Sequence, residues 1–355
     1  MRATGPVGQK TMSEDFDPRD ILLYIGHGSD NAIGENLIKV PFMRAVREAF
    51  PCARVSWVHG SGESQFQSIL KPLSGDLIDE ILPDYTLEDS LGGILGWPAL
   101  SQRRRFDLVI DTQKRPQKTV RLRRLANTCF ISATWNYWFS DRRPPAGFFH
   151  SMRLTERLFA LVAAAAGRVL TPPSHVIGLP DDIVSAAAKL LPDGPTYIGL
   201  APGAGRQDTG KMWPYKEYLA VALAQVAKGR TPVFIVGPSE QRWVSDIREN
   251  VPEAVIPDLT GNEIEGITAG PPLTVALGRR LAAAVSNCSG AGHLLAAGGV
   301  PMVSLYGPTN PRKFLPYTPH ITAITAQQFG GETISKIPRD AVLDAIEIRL
   351  SAGRV

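Results

Sequence analysis

Residues 282–311, AAAVSNCSGAGHLLAAGGVPMVSLYGPTNP, decide the fold of this chain. An apolar run ends at Asn287, small polar residues and glycines follow, and a short stretch with helical spacing leads into a second apolar run that ends at Tyr306. Continuous apolar runs are typical of strands in a parallel sheet that is covered on both faces. The stretch therefore predicts a β-α-β unit with a polar, glycine-containing first turn.

The same alternation of strands and helices extends outward from this unit. Strands are predicted at residues 21–25, 54–58, 108–111, 197–200, 232–236, 284–285 and 301–306. Helices are predicted at 34–50, 215–228 and 239–250. Such alternation favours parallel sheets with right-handed crossovers. The fold class is therefore α/β, with two Rossmann-like, doubly wound domains whose strand ends face a central cleft.

A proline-rich segment predicts where the two domains meet. Residues 171–200 contain five prolines and end at the start of a new strand series. We expect a disordered leader over residues 1–18, a first domain over 19–175 and a second over 176–338. A final helix lies in 339–355 and either closes the second domain or crosses back to the first.

Composition predicts a cytoplasmic protein. Hydrophobic residues make up 44% and charged residues 20% of the 355 residues, and the longest apolar run, 158–166, is too short to span a membrane. The first twenty residues lack the apolar segment of a secretory signal. Cys52, Cys129 and Cys288 are therefore expected to be reduced thiols.

Positive charge is concentrated in the first half of the chain. Residues 101–168 contain fourteen Lys and Arg against four acidic residues. This excess indicates an anionic partner, namely nucleic acid, an acidic membrane surface or a phosphorylated substrate, although a solvated helix face explains it as well. No nucleic-acid-binding motif accompanies the segment, so we expect no nucleic-acid partner.

Two turns in the second half have the character of anion sites. Ser289 and Gly290 precede a predicted helix, whose free amide groups and positive dipole end favour a phosphate, and His293 either reaches that phosphate or packs. The glycine-rich loop at 201–212 presents Arg206 and Lys211 before a helix, where they would neutralise a diphosphate. This loop lacks the G-K-[ST] of a Walker motif.

A third turn, in the first half, supplies a carboxylate. Glu35 follows Gly34 at the start of a predicted helix, in the segment IGHGSDNAIGENLIKVPF at 25–42. A carboxylate in this position is either a partner of the helix dipole or, at a cleft, a candidate general base.

Together these segments resemble glycosyltransferase family 9, the lipopolysaccharide heptosyltransferases with the GT-B fold. GENLIKVP at 34–41 is similar to the family's G-D-x-L-x-x-x-P, and FDLVID at 106–111 to its YDLVID strand. PGA at 202–204 and KMWP at 211–214 resemble its P-G-A and K-x-W-P pair. SGAGH at 289–293 and YGPT at 306–309 resemble D-[ST]-G-x-x-H and Y-G-P-T.

The resemblance implies an inverting, metal-independent transfer of a heptose or related sugar. The sugar donor would be an ADP-sugar or another nucleotide-sugar, and the acceptor a lipopolysaccharide core or other anionic cell-surface glycan. Glu35 would be the base. The donor-binding residues would be Gly203, Arg206, Lys211, Thr260, Ser289, Gly290 and His293. The acceptor-binding residues would be Arg115, Lys118, Arg121 and Arg124. No cofactor or metal is expected, since the only D-x-D sequence, at 15–17, lies in the leader.

Two departures from the family pattern keep other functions open. Glu35 and Cys288 stand where the family has aspartates. A GT-B protein that binds a nucleotide-sugar or glycan without turnover is therefore an alternative, and an epimerase or hydrolase on the same fold is another. The aromatic and basic segment at 133–149 favours peripheral contact with the cytoplasmic face of the inner membrane, although core packing explains its aromatic residues equally well.

Overall fold

The fold is described from a computed structural model, for residues 16–26, 33–59, 64–82, 104–146, 153–205, 210–264 and 266–352. Two of the sequence predictions concern residues outside these ranges. Arg206 and residues 1–15 of the expected leader lie outside the described residues.

Among the described residues, the first sheet contains five parallel strands in the order β3-β2-β1-β4-β5. Its strands are β1 (Asp20–Gly26), β2 (Arg54–His59), β3 (Glu80–Leu82), β4 (Phe106–Asp111) and β5 (Ala126–Ser132). The described residues of this half form the helices α1 (Ile33–Leu37), α2 (Val40–Ala49), α3 (Lys71–Ser74), α4 (Pro116–Arg123) and α5 (Leu154–Ala166), with 3-10 turns at Gln65–Gln67 and Gly75–Leu77.

In the part of the chain that the structure describes, the second sheet also has five parallel strands, in the order β12-β11-β10-β6-β7, and β8 and β9 form a separate antiparallel pair. The strands are β6 (Tyr197–Ala201), β7 (Thr231–Phe234), β8 (Glu263–Ile264), β9 (Ile267–Thr268), β10 (Ala283–Asn287), β11 (Met302–Tyr306) and β12 (Ile321–Thr325). The helices are α6 (Asp181–Leu190), α7 (Tyr215–Val226), α8 (Val244–Asn250), α9 (Pro271–Gly278), α10 (Gly290–Ala297), α11 (Pro311–Phe314) and α12 (Arg339–Ala352), with 3-10 turns at Pro238–Trp243, Ala326–Phe329 and Ile334–Lys336. The predicted α/β class with two parallel sheets is confirmed.

Burial on both faces explains why the strands read as continuous apolar runs. In β10 and β11 every residue is buried, as is every residue of β1 except Asp20. Helices cover both faces of each sheet. An alternation of polar and apolar residues along a strand would therefore bury polar side chains without hydrogen-bond partners.

The last helix packs against the second sheet. Val342, Ala345 and Ile346 of α12 are buried in the core that contains residues of β6, β10 and β11. Of the two positions that the sequence left open for this helix, the described part of it occupies the one that closes the second domain.

Close glycine contacts bring α9 and α10 together. A Cβ on Gly298 would lie 2.3 Å from the carbonyl oxygen of Val275, and one on Gly278 would lie 2.9 Å from that of Leu295. Backbone atoms cannot move away cheaply, so these positions require glycine. The tight packing fixes α10, whose first turn borders the cleft.

A buried carboxylate ends strand β4. Asp111 accepts hydrogen bonds from the Thr119 hydroxyl at 2.7 Å, the Ser132 hydroxyl at 2.9 Å and the backbone N–H of Gln113 at 2.9 Å. Burial raises the pKa of Asp111 to about 6, although these hydrogen bonds oppose the shift. The network ties α4 and β5 to β4 at the cleft edge of the sheet.

This raised pKa predicts a pH-dependent stability that the Asp111→Asn variant lacks. Between pH 4 and 6 the folded chain binds more protons at this site than the unfolded chain, so its contribution to stability falls as pH rises. We expect the free energy of unfolding of Asp111→Asn, relative to the parent protein, to increase by about 2 to 3 kcal/mol over this window. Urea denaturation at several pH values measures it. Asp344 is exposed, and Asp344→Asn is the control. If the stability of Asp111→Asn changed with pH in the same way as that of the parent protein, the raised pKa of Asp111 would be contradicted.

Candidate active site

The turns that carry Glu35 and Ser289 meet across the cleft. Glu35 lies in α1, which follows β1, and Ser289 precedes α10, which follows β10. Helices α1 and α10 contact each other. A Cβ on Gly34 would lie 3.3 Å from the Cα of Gly290. The predicted carboxylate and the predicted anion site are therefore neighbours, as a shared active site requires.

Glu35 is exposed to solvent at this contact. Lys39 follows one helical turn later and interacts electrostatically with Glu35. Burial lowers the pKa of Lys39 to about 8, and the negative charge of Glu35 opposes that shift. An exposed carboxylate at the mouth of a cleft is accessible to a hydroxyl group of a substrate.

Ser289 caps α10 and leaves other amide groups available. It has extended backbone dihedrals, and its hydroxyl accepts a hydrogen bond from the N–H of Gly292 at 3.5 Å. The N–H groups of Gly290 and Ala291 belong to the first helical turn, where no intrahelical acceptor exists. Together with the positive end of the helix dipole, these two groups form an anion seat.

Lys211 lies beside this seat. The N–H of Trp213, two residues after Lys211, donates to Oδ1 of Asn287, two residues before Ser289, at 3.1 Å, so the two loops are adjacent. Burial raises the pKa of the Cys288 thiol, and the positive charge of Lys211 opposes that shift. The loop that carries Lys211 packs on the turn after β11, since a Cβ on Gly307 would lie 3.0 Å from the carbonyl oxygen of Gly210. The structure therefore brings Lys211 together with Ser289 and Gly290.

Asn287, which the sequence reading left without a role, joins the loops of the second domain. Its side chain is fully buried at the end of β10. Its Oδ1 accepts hydrogen bonds from the backbone N–H of Trp213 and the hydroxyl of Tyr218, both at 3.1 Å, and its Nδ2 donates to the carbonyl oxygen of Pro202 at 2.7 Å. One amide thus holds together the PGA loop, the KMWP loop and the strand that leads to Ser289.

Gly203 is covered by a glutamate from the neighbouring turn. A Cβ on Gly203 would lie 2.7 Å from Oε1 of Glu240, whose Oε2 accepts a hydrogen bond from the N–H of Gly237 at 3.0 Å. Sequence reasoning missed Glu240, because a single carboxylate after β7 carries no pattern. Its carboxylate is a candidate acceptor for hydroxyl groups of a ligand in the glycine-rich loop.

His293 lies at the contact between the two domains. A Cβ on Gly34 would lie 3.1 Å from Cδ2 of His293, and burial lowers the pKa of the imidazole to about 4. The ring is therefore uncharged at neutral pH. The structure gives His293 packing contacts, and its role toward a phosphate stays a prediction.

The hydrogen bonds of Thr260 stay within its own loop. Its N–H and its hydroxyl donate to Oδ1 of Asp258 at 3.0 and 2.6 Å, and the hydroxyl accepts from Asn262 at 3.2 Å. These partners are separate from the three turns at the cleft. The assignment of Thr260 to the nucleotide stays a prediction.

The four basic residues predicted to bind the acceptor differ in exposure. Arg115 is exposed, Arg124 is half-buried, and Lys118 and Arg121 are each 3% exposed. Arg115 precedes α4 at the carboxyl end of β4, the same edge of the sheet at which Glu35 lies. Their role in acceptor binding also stays a prediction.

A rigid turn after β5 exposes two tryptophans. Trp135 and Trp138 are 65% and 68% exposed, whereas Tyr137 packs against the core of the first domain. Trp135, Asn136 and Tyr137 all have positive φ, at 46°, 53° and 64°. Left-handed backbone is costly for residues with a Cβ, so the surrounding contacts must impose it. Core packing therefore does not account for the two exposed rings.

Neither a metal-binding cluster nor a membrane-spanning helix is present among the described residues. Within them, no three His, Cys, Asp or Glu side chains lie together in a way that would hold a metal ion. Also within them, no helix combines the length and apolar character needed to cross a bilayer. The expectation of metal-independent chemistry stays a prediction.

Solved structures with similar folds cover nearly the whole chain. A glycosyltransferase of family 9 from Veillonella parvula is 19% identical with a TM-score of 0.69, over 95% of this chain and 99% of that one. The Escherichia coli heptosyltransferase WaaC, solved with ADP, is 20% identical with a TM-score of 0.61, over 93% and 99%. These likenesses confirm the expected GT-B fold.

Sequence comparisons identify the family. Lipooligosaccharide heptosyltransferase 2 of Haemophilus influenzae is 29% identical over 132 residues, and the match spans 35% of this chain and about a third, 34%, of that relative. The model of glycosyltransferase family 9 (heptosyltransferase) matches residues 101–336, more than half of the 355 residues. The chain therefore belongs to glycosyltransferase family 9.

Proposed function

We propose that this protein transfers a heptose or related sugar from a nucleotide-sugar, with ADP as the nucleotide, to a lipopolysaccharide-core or other cell-surface glycan. The transfer inverts the anomeric centre and uses no metal. Membership of the heptosyltransferase family supports the sugar and the pathway. The ADP of the similar WaaC structure supports the nucleotide.

One observation carries the proposal. The turn with Glu35 contacts the amide-lined anion seat at Ser289 and Gly290, and Lys211 lies beside that seat. A base and a site for an anionic leaving group on opposite sides of one cleft are the two elements that a single displacement needs.

The residues divide the reaction between them. The carboxylate of Glu35 accepts the proton of the acceptor hydroxyl as its oxygen bonds to the anomeric carbon. The bond between that carbon and the diphosphate oxygen breaks, and the electron pair leaves with the diphosphate. Lys211 and the N–H groups of Gly290 and Ala291 stabilise the charge that develops there. The transition state has oxocarbenium character, as in other glycosyl transfers.

Lys211→Ala tests the leaving-group side of the mechanism. Loss of one stabilising group is expected to lower kcat/KM by about 10² to 10³, because the diphosphate charge is greatest in the transition state. ADP binding, measured by calorimetry, should weaken as well. Lys216→Ala, a change at an exposed lysine in the next helix, is the control. Equal ADP affinity and equal turnover in Lys211→Ala would remove Lys211 from the site.

A protein that binds a nucleotide-sugar without turnover is the second candidate. The half-buried thiol of Cys288 favours it, because the family's aspartate would place a charge beside Lys211 and the thiol does not. Calorimetry with ADP and a transfer assay with ADP-heptose and core oligosaccharides separate the two. Tight ADP binding with no transfer to any acceptor supports the binder.

The acceptor side of the proposal includes contact with the cytoplasmic face of the inner membrane. The exposed rings of Trp135 and Trp138 and the exposed Arg143, a few residues later in the chain, suit an interface with anionic lipids. Binding to phosphatidylglycerol vesicles, measured by sedimentation, is expected to fall about tenfold in the Trp135→Ala/Trp138→Ala variant, from the loss of buried aromatic area. Leu223→Ala removes an exposed apolar side chain elsewhere and is the control. Unchanged sedimentation of the tryptophan variant would exclude this surface.

A further inference from the structure

Gly34 and His293 belong to different domains and pack directly against each other. A Cβ on Gly34 would lie 3.1 Å from Cδ2 of His293 and 3.3 Å from the Cα of Gly290. In the other direction, a Cβ on Gly290 would lie 3.4 Å from the backbone nitrogen of Gly34. A methyl group on Gly34 would therefore force the imidazole of His293 or the backbone of Gly290 to move by a few tenths of an ångström, whereas one on Gly290 would make only ordinary van der Waals contacts.

The surroundings of His293 are those of a packed side chain. With Leu37, Ile38 and Pro41 of the first domain and Ala297 of its own helix, His293 lines a small cavity between the domains. Leu37, Ile38 and Ala297 are also part of the core cluster that crosses the interface. Burial lowers the pKa of His293 to about 4, so at neutral pH it offers no positive charge to a phosphate.

This contact determines where Glu35 stands. Glu35 directly follows Gly34 in α1, and His293 lies one turn inside the helix whose first amides form the anion seat. The size of the imidazole and the absence of a side chain on Gly34 therefore determine the distance between the Glu35 carboxylate and the anion seat. A misplacement of about 1 Å is enough to lower a rate about a hundredfold.

We propose that His293 is a positioning residue: together with Gly34 it forms a spacer that fixes the Glu35 turn against the anion seat, and it does not bind the diphosphate. The proposal rests on the proposed function, because the spacing affects turnover only if Glu35 is the base. In this proposal His293, a residue of the second domain, positions the base Glu35. The resemblance to the family had placed His293 among the residues that bind the sugar donor.

Kinetic measurements on His293→Ala, Gly34→Ala and His293→Gln test the proposal. We expect each alanine variant to lower kcat at least about tenfold, as displacement of a reacting group does. The KM for ADP-heptose and the Kd of ADP stay unchanged. Gln has a planar, uncharged side chain of similar reach and should recover part of kcat. Lys216→Ala, a change at an exposed lysine of α7, is the control. A weaker Kd of ADP in His293→Ala, or an unchanged kcat, would overturn the proposal.

A melting experiment tests the spacer without relying on transfer. Gly34→Ala is expected to lower Tm, because its methyl group meets the imidazole. In the Gly34→Ala/His293→Ala variant that methyl group has room, so Tm should fall by less than the sum of the two single-variant shifts. Additive shifts would show that the two residues are not coupled and would refute the spacer. An absence of transfer by the parent protein, with coupling intact, would instead count against the proposed function.

Discussion

Replacing Glu35 with glutamine is expected to lower kcat about 10³-fold, the usual contribution of a general base. The amide keeps the size and much of the hydrogen bonding of the carboxylate but cannot accept the acceptor's proton. Glu35 is exposed and adjoins the anion seat, so the change leaves that seat in place. The Kd of ADP should therefore stay within about twofold of the parent value, a difference of less than 1 kcal/mol.

Glu35→Asp is the matched comparison for this prediction. It has the residue type of the family pattern and keeps the charge, but it withdraws the carboxylate by one methylene. We expect it to retain far more activity than Glu35→Gln, since the base is present and only its reach is altered. Initial rates with saturating ADP-heptose measure both variants. Similar rates for Glu35→Gln and the parent protein would exclude Glu35 as the base.

The sequence predicted the central strands and the edge strand β7, and it missed the edge strands β3, β5 and β12. Strands β1, β4, β10 and β11 are continuous apolar runs that are buried on both faces, and each was predicted within a few residues. β3 is only Glu80–Leu82, and β5 and β12 mix polar with apolar residues because they lie at or near sheet edges. An edge strand is covered less completely, so its apolar signal is weaker.

The sequence predicts site residues where a reactive or charged side chain lies at a strand-to-helix turn. Glu35, Lys211 and Ser289 each lie at a strand-to-helix turn, and parallel sheets gather such turns at one edge. The cross-domain contact between Gly34 and His293 was not predictable, because no sequence pattern reports how two domains are placed. The exposed turn at Trp135 was equally hidden, since periodicity gives no sign of a left-handed backbone.

Asn287→Ala is expected to cost about 4 kcal/mol of stability, because each unsatisfied buried group costs about 1 to 3 kcal/mol. The change leaves three buried groups without their partner: the N–H of Trp213, the hydroxyl of Tyr218 and the carbonyl of Pro202. A methyl group replaces none of these hydrogen bonds, and the position is fully buried, away from bulk water. The large effect comes from the number of partners that one side chain serves.

Urea denaturation, with Asn250→Ala as the control, measures this cost. Asn250 is exposed, and its amide bonds only to Asp246 on its own helix, so its loss should change stability by about 0.5 kcal/mol or less. At urea concentrations where Asn287→Ala remains folded, its ADP affinity should also fall, since Asn287 connects the loops of Lys211 and Gly203 to the strand before Ser289. If Asn287→Ala loses less than about 1 kcal/mol, the amide does not hold these loops together, because three orphaned groups cost more than that. If stability falls and ADP affinity does not, the amide supports the fold and leaves the shape of the anion seat to the glycine contacts of α10.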